Sequence, residues 1–214
     1  MGEITAQDKL GAAILHLVKD LKLKVNLEIG SWDGTGATRC FIDAMEDFST
    51  KSLTCLEIDK KKFNSLVKNV GDYSWVKCYN RSSINCSKLI DFGFDRIWNS
   101  LFNPLIHFPD TEKETVKEWY TGDVDLMKKY PEGFLEEDDT IYDAVLIDGG
   151  EFTGYFEFEW DCLAYEKSVE GLDWGLSSYV EKEEEVPQHI LEAMIDHRKK
   201  VRNGFAIFKR KKFI

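Results

Sequence analysis

The segment Asn26-Leu-Glu-Ile-Gly-Ser-Trp-Asp-Gly-Thr-Gly36 constrains this chain more than any other. An apolar-leaning run, Val25 to Ile29, breaks into a glycine-rich turn, and a helical pattern follows. About twenty residues further on, a second run, Leu53-Thr-Cys-Leu-Glu57, ends in a carboxylate. A strand, a glycine turn, a helix and an acid-tipped second strand form a nucleoside-binding layout. Glycines let a backbone approach a ligand where a Cβ would collide. The second carboxylate can accept hydrogen bonds from both ribose hydroxyls. The alternative is a tight strand-to-helix turn that holds no ligand.

The spacing discriminates between nucleosides. A dinucleotide fingerprint reads G-x-G-x-x-G and seats its phosphates on the helix N-terminus. Here Glu28, Gly30, Gly34 and Gly36 give E-x-G-x-x-x-G-x-G. Glu28 and Asp33 are then expected where a pyrophosphate would sit, and their charge suits a cationic ligand instead. The segment resembles motif I of class I S-adenosylmethionine-dependent methyltransferases, and Glu57 resembles their ribose ligand. The resemblance implies that Glu28, Gly30, Ser31, Gly34, Thr35, Gly36, Glu57 and Ile58 line the cofactor. Asn80, Ser82 and Ser83 would offer polar groups to its adenine edge.

A second chemistry-bearing block is Asp148-Gly-Gly-Glu151-Phe152, at the end of the apolar run Ile141–Ile147. Methyl transfer to a hydroxyl needs an in-line approach and a group that removes the proton. Asp148 and Glu151 stand where a catalytic base or a hard-cation ligand belongs. An N-cap role for Asp148 is the alternative. The block is similar to motif IV of small-molecule O-methyltransferases, including enzymes that act on sugars. Arg202-Asn-Gly-Phe-Ala-Ile-Phe208 resembles the closing strand of the same group. Some of these relatives bind magnesium through the equivalent of Asp148 plus an acidic pair after strand five. Between 160 and 180 this chain has only the isolated Asp161 and Asp173. Two oxygen ligands alone would hold magnesium weakly, which weighs against a metal.

The resemblance implies a Rossmann-like class I methyltransferase sandwich. Its mainly parallel seven-stranded sheet would carry helices on both faces, with a long insertion after strand three. The alternating pattern of the chain agrees with an α/β sandwich. Helices are expected at about 6–21, with Thr5 and Asp8 as a capping pair, at 35–47, and after Asp59. Strands are expected at Val25–Ile29, Leu53–Ile58, Trp75–Tyr79, Ile141–Ile147 and Phe205–Lys209. The stretch 169–186 does not reveal strand five. Residues 1–214 read as a single domain with an insertion at about 84–138 that contains a helix near 112–130. The insertion is rich in aromatic residues and suits a lid or substrate-recognition subdomain. His107, Trp119 and Tyr120 are its candidate acceptor contacts, the aromatic rings by stacking on a sugar. Two further helices are expected at 152–168 and from Pro187.

Composition narrows the partners. The net charge is −11 over 214 residues. Phosphate affinity needs clustered Lys and Arg, so no nucleic-acid partner is expected. Lys60-Lys61-Lys62 and Lys209-Arg-Lys-Lys212 read as solvated faces. The five cysteines form no C-x-x-C pair and read as reduced, buried residues. With no signal peptide or long apolar run visible, a cytoplasmic location and no membrane insertion are expected. The expected activity is O-methyl transfer from S-adenosylmethionine to a sugar, glycan or similar small polar acceptor. Such domains occur in microbial and large-virus glycan assembly. The alternatives are a catalytically silent binding protein of the same fold, or a protein or nucleic-acid methyltransferase using the basic tail.

Overall fold

A computed structural model describes residues 4–99, 112–149, 174–177 and 206–209. The chain divides into two compact units. One comprises Met1–Asn80, Ile141–Asp148 and Val169–Ile214; the other comprises Arg81–Thr140 and Gly149–Ser168. In chain order the elements are α1 (Lys9–Leu21), β1 (Val25–Ile29), α2 (Ala37–Met45), β2 (Ser52–Leu56), α3 (Lys60–Val70) and β3 (Val76–Tyr79). The second unit supplies α4 (Cys86–Phe92), α5 (Phe94–Asn99), α6 (Lys113–Met127) and α7 (Phe134–Glu137). The first unit then adds β4 (Ala144–Ile147), β5 (Trp174–Ser177) and β6 (Ala206–Lys209).

The strands form one sheet in the order β3-β2-β1-β4-β5-β6. All pairs are parallel except β5 with β6. The α/β architecture with a mainly parallel sheet therefore agrees with the sequence. Seven strands were expected, and the described residues hold six. Strand five lies at Trp174–Ser177, inside the stretch that gave no clear pattern. The expected helices at 152–168 and from Pro187 fall outside the described residues, as do His107 and Glu151. Among the described residues no helix is long and apolar enough to cross a membrane.

Burial explains the strands. Strands of a parallel sheet are covered on both faces and become nearly continuously apolar. All four residues of β4 are buried, as are the last four of β1 and of β2. Ile14, Leu17 and Val18 of α1 join Phe41, Ala44 and Met45 of α2 in the core that also holds Leu53 and Leu146. Each such aliphatic or aromatic side chain contributes roughly 1.5–3 kcal/mol. Ile141 is exposed, which shortens the apolar run to β4.

The caps fix where helices begin. Asp8, not Thr5, is the N-cap of α1: its side chain accepts from the Gly11 N–H and also from the Thr5 N–H. The helix therefore starts three residues later than the pattern suggests. Asp59 caps α3 as expected, accepting from the N–H groups of Lys61 and Lys62. On α3, Leu66 and Val70 are buried, whereas Val67 is exposed.

Two polar devices tie the sheet together. Asp143 precedes β4, and its Oδ2 accepts from the N–H groups of Lys24 (2.6 Å) and Val25 (2.9 Å). Its own N–H donates to the Val25 carbonyl at 2.6 Å. This clamp sets the register in which Asn26 faces Ala144. Deeper in the sheet, Glu28 lies opposite Cys55 on one side and Leu146 on the other. Its carboxyl is 2% exposed. Thr38 on α2 donates to it at 2.6 Å, and the Cys55 thiol lies 3.7 Å away. Burial pushes the Glu28 carboxyl up to about 7, against the lowering effect of the Thr38, Ser31 and Cys55 hydrogen bonds.

Each device yields a prediction. Asp143→Ala leaves two N–H groups unpaired and should cost about 1–3 kcal/mol. Urea unfolding should show a lower midpoint with an unchanged slope; an unchanged midpoint would show that the clamp is dispensable. For Glu28, the folded state favours the protonated form. The associated stability is complete below the usual carboxylate range and is lost as pH rises through about 7. Glu28→Gln should therefore match wild type at pH 5 and exceed it by roughly 1–3 kcal/mol at pH 8. A variant less stable than wild type at pH 8 would contradict the buried-acid assignment.

Candidate functional site

In open α/β sheets, ligands sit beyond the carboxyl ends of the strands, where the strand order reverses. Here β1 has β2 on one side and β4 on the other, so the reversal falls between β1 and β4. The chain leaves β1 at Gly30, β2 at Glu57, β3 at Asn80 and β4 at Asp148.

Glu57 organises this edge. Its Oε2 accepts from the Trp32 N–H at 2.9 Å, and its Oε1 accepts from the Asp59 N–H at 2.8 Å. One carboxylate thereby joins the glycine turn after β1 to the start of α3. The Asn80 side-chain amide donates to the carbonyls of Glu57 (2.8 Å) and Ile58 (2.9 Å), which fixes the same loop from the β3 side. Asp148 joins through its main chain, donating to the Ile29 carbonyl at 2.9 Å, and its side chain is exposed. Glu57 is 6% exposed. Burial raises its carboxyl above the ordinary range. The Asp59 N–H, the Lys62 ammonium and the Trp32 N–H oppose that rise.

Much of the glycine turn is paired within the protein. The N–H groups of Gly30 and Ser31 both donate to the Leu56 carbonyl at 3.0 Å. Gly34 N–H donates to the Ser31 carbonyl, and Thr35 N–H donates to Asp33 Oδ1, both at 3.0 Å. Gly30 (φ 88°) and Gly34 (φ 78°) occupy the left-handed region. A Cβ on Gly34 would meet Leu66 Cδ1 at 2.8 Å, so this glycine serves close packing of the turn on α3. Gly36 is the N-cap position of α2, without a side-chain cap bond. Burial acts to raise the Asp33 carboxyl. Hydrogen bonds from the Thr35 hydroxyl and N–H outweigh this and hold it below its ordinary value.

The sequence-derived candidates separate into three groups. Gly30, Ser31, Glu57, Ile58, Asn80 and Asp148 meet at the carboxyl edge, and Gly34, Thr35 and Gly36 continue the same turn into α2. Glu28 does not: its carboxyl is enclosed between β1, α2 and β2 and half neutral near pH 7. Glu28 is therefore not placed to repel a pyrophosphate, contrary to the expectation from spacing.

Ser82, Ser83, Trp119 and Tyr120 belong to the second unit. The Ser82 hydroxyl donates to the Ile84 carbonyl at 2.7 Å, and the carbonyls of Ser82 and Ser83 accept from Phe134 and Leu135. These serines anchor α7. Trp119 and Tyr120, adjacent on α6, point in different directions. Tyr120 packs on Phe94 with ring centroids 5.6 Å apart, while Trp119 is 38% exposed. Tyr120 is thus built into a cluster with Phe94, and Phe94 in turn packs on Trp98.

Two residues at the edge escaped the sequence reading. Trp32 donates its N–H to Glu57, and Lys62 places its ammonium 3.4 Å from the centre of the Trp32 ring. The available signal was a large aromatic residue inside a glycine turn, and a lysine run in the first turn of the next helix, where cations oppose the dipole.

No family model and no curated protein matches the chain. Three solved structures are similar at low identity. An SAH-bound Podospora anserina methyltransferase shares 14% identity at TM-score 0.44, covering 78% of this chain and 50% of its own. A Staphylococcus aureus protein assigned as a caffeoyl-CoA O-methyltransferase shares 16% at TM-score 0.41, covering 78% and 55%. A Pyrococcus horikoshii protein assigned as an RNA methyltransferase shares 14% at TM-score 0.36, covering 78% and 57%. This chain spans about half the length of each.

Proposed function

We propose that this chain is an S-adenosylmethionine-dependent methyltransferase acting on a hydroxyl of a sugar or similar small polar acceptor. The carrying observation is the Glu57 carboxylate, held between the Trp32 and Asp59 N–H groups at the carboxyl end of β2. Each carboxylate oxygen accepts more than one hydrogen bond, so Glu57 retains acceptor capacity for a ribose hydroxyl pair. Five N–H groups of the turn are paired within the protein, and the carboxylates of Glu57 and Asp33 add acceptors to this edge. The cofactor would supply an electrophilic methyl group on a sulfonium.

The protein's share is binding, orientation and proton removal. Gly30 and Ser31 set the path of the turn, Glu57 grips the ribose, and Asn80 keeps the Glu57 loop in place. Asp148, beside Ile29 at the strand-order reversal, would take the proton from the acceptor hydroxyl. Glu151 is proposed to assist Asp148. Among the described residues no three His, Cys, Asp or Glu side chains converge on a common point. The donors described do not make a magnesium site, and no step is routed through a metal. His107 and Trp119 are proposed acceptor contacts.

Titration with S-adenosylmethionine should give micromolar affinity, about −8 kcal/mol, and no heat with NAD. Binding of NAD alone would refute the proposal. Glu57→Ala should weaken cofactor binding by roughly 1.5–3 kcal/mol; wild-type affinity would remove Glu57 from the site. Asp148→Asn should keep cofactor affinity while abolishing methyl transfer to a panel of sugars. Full turnover in that variant would reduce Asp148 to a structural role.

A further inference from the structure

Trp32 combines properties that packing alone does not explain. Its backbone has φ 51°, a region that bulky residues rarely occupy and glycine enters freely. It nevertheless stands between Gly30 and Gly34, two residues away on each side, in a turn where a further glycine would remove the strain. Its side chain is 48% exposed, so the strain is not offset by burial in the core. The same residue donates its N–H to Glu57, and its ring carries the Lys62 ammonium at 3.4 Å. Lys62 itself lies in the α3 turn capped by Asp59, whose N–H is the second partner of Glu57. An exposed, strained aromatic residue fixed beside a nearly enclosed carboxylate marks a functional position.

We infer that Trp32 is a specificity residue that covers the nucleoside held by Glu57, with Lys62 steadying its indole. This rests on the nucleoside reading of the site above. The indole is carried by the residue whose N–H donates to Glu57, and over the bound nucleoside it would shield the ribose hydrogen bonds from water and strengthen them. The ammonium on the ring holds the indole in one orientation before the ligand arrives.

The test uses S-adenosylhomocysteine as probe, with isothermal titration and thermal melting of the full chain. Trp32→Gly and Trp32→Asn both suit the left-handed backbone. Each should melt within about 4 °C of wild type and bind the probe at least tenfold more weakly. Lys62→Met should weaken binding severalfold, because it frees the indole while leaving the turn intact. Affinity within twofold of wild type in both Trp32 variants overturns the inference. So does a larger fall in melting temperature in both, which would make Trp32 a structural brace. Failure of the wild-type chain to bind the probe defeats the nucleoside reading itself. That outcome is distinct because it appears before any substitution is made.

Discussion

The carboxyl edge of the sheet depends on one group accepting two hydrogen bonds from different loops. Glu57 receives the Trp32 N–H through one oxygen and the Asp59 N–H through the other. Those donors belong to segments that the sheet topology brings together, since β1 and β2 are parallel neighbours whose ends lie side by side. Charged acceptors make such bonds stronger than neutral ones. The turn after β1 and the start of α3 are therefore placed by a side chain that belongs to neither. Asn80 closes the arrangement from β3 through the Glu57 and Ile58 carbonyls. A ligand that hydrogen-bonds to Glu57 meets a carboxylate already oriented, with little ordering left to be done on binding.

The two glutamates differ by environment rather than by type. Glu28 and Glu57 end or nearly end adjacent strands, and both are almost fully enclosed. Glu57 is surrounded by backbone N–H groups and the Lys62 charge, which support the ionised form. Glu28 has a hydroxyl, a thiol and apolar neighbours, so burial dominates and its proton is retained up to about 7. Burial raises both carboxyls, and at Glu57 the Asp59 N–H, the Lys62 ammonium and the Trp32 N–H oppose that rise.

Much of the frame was legible because the signals were local. The apolar run to Ile29, the glycine turn, the acid at 57 and the Asp59 cap all follow from residue type and spacing. Strand five was not, since Trp174-Gly-Leu-Ser177 is four residues long and its pairing with Ala144–Ile147 is a long-range property. The role of Glu28 was misread for a related reason. Strand residues alternate between faces, but nothing local says which face the chain will cover with α2 and Thr38. Ser82 and Ser83 read as free polar groups, yet their carbonyls receive α7, which lies some fifty residues away in sequence. Trp119 and Tyr120 looked equivalent as a pair. A helix turns adjacent side chains apart, and Phe94 claims only one of them.

The glycine turn shows how backbone accounting decides ligand class. A turn that presents free N–H groups at a helix start attracts phosphate. This one directs the N–H groups of Gly30, Ser31, Trp32, Gly34 and Thr35 to the Leu56 carbonyl, Glu57, the Ser31 carbonyl and Asp33. What it offers outward is acceptor capacity on Glu57 and Asp33, with the Asp148 side chain exposed at the next strand end. Acceptors on Glu57 and Asp33 match hydroxyl and ammonium groups better than anions. The Lys62 ammonium is turned onto the Trp32 ring, 3.4 Å from its centre.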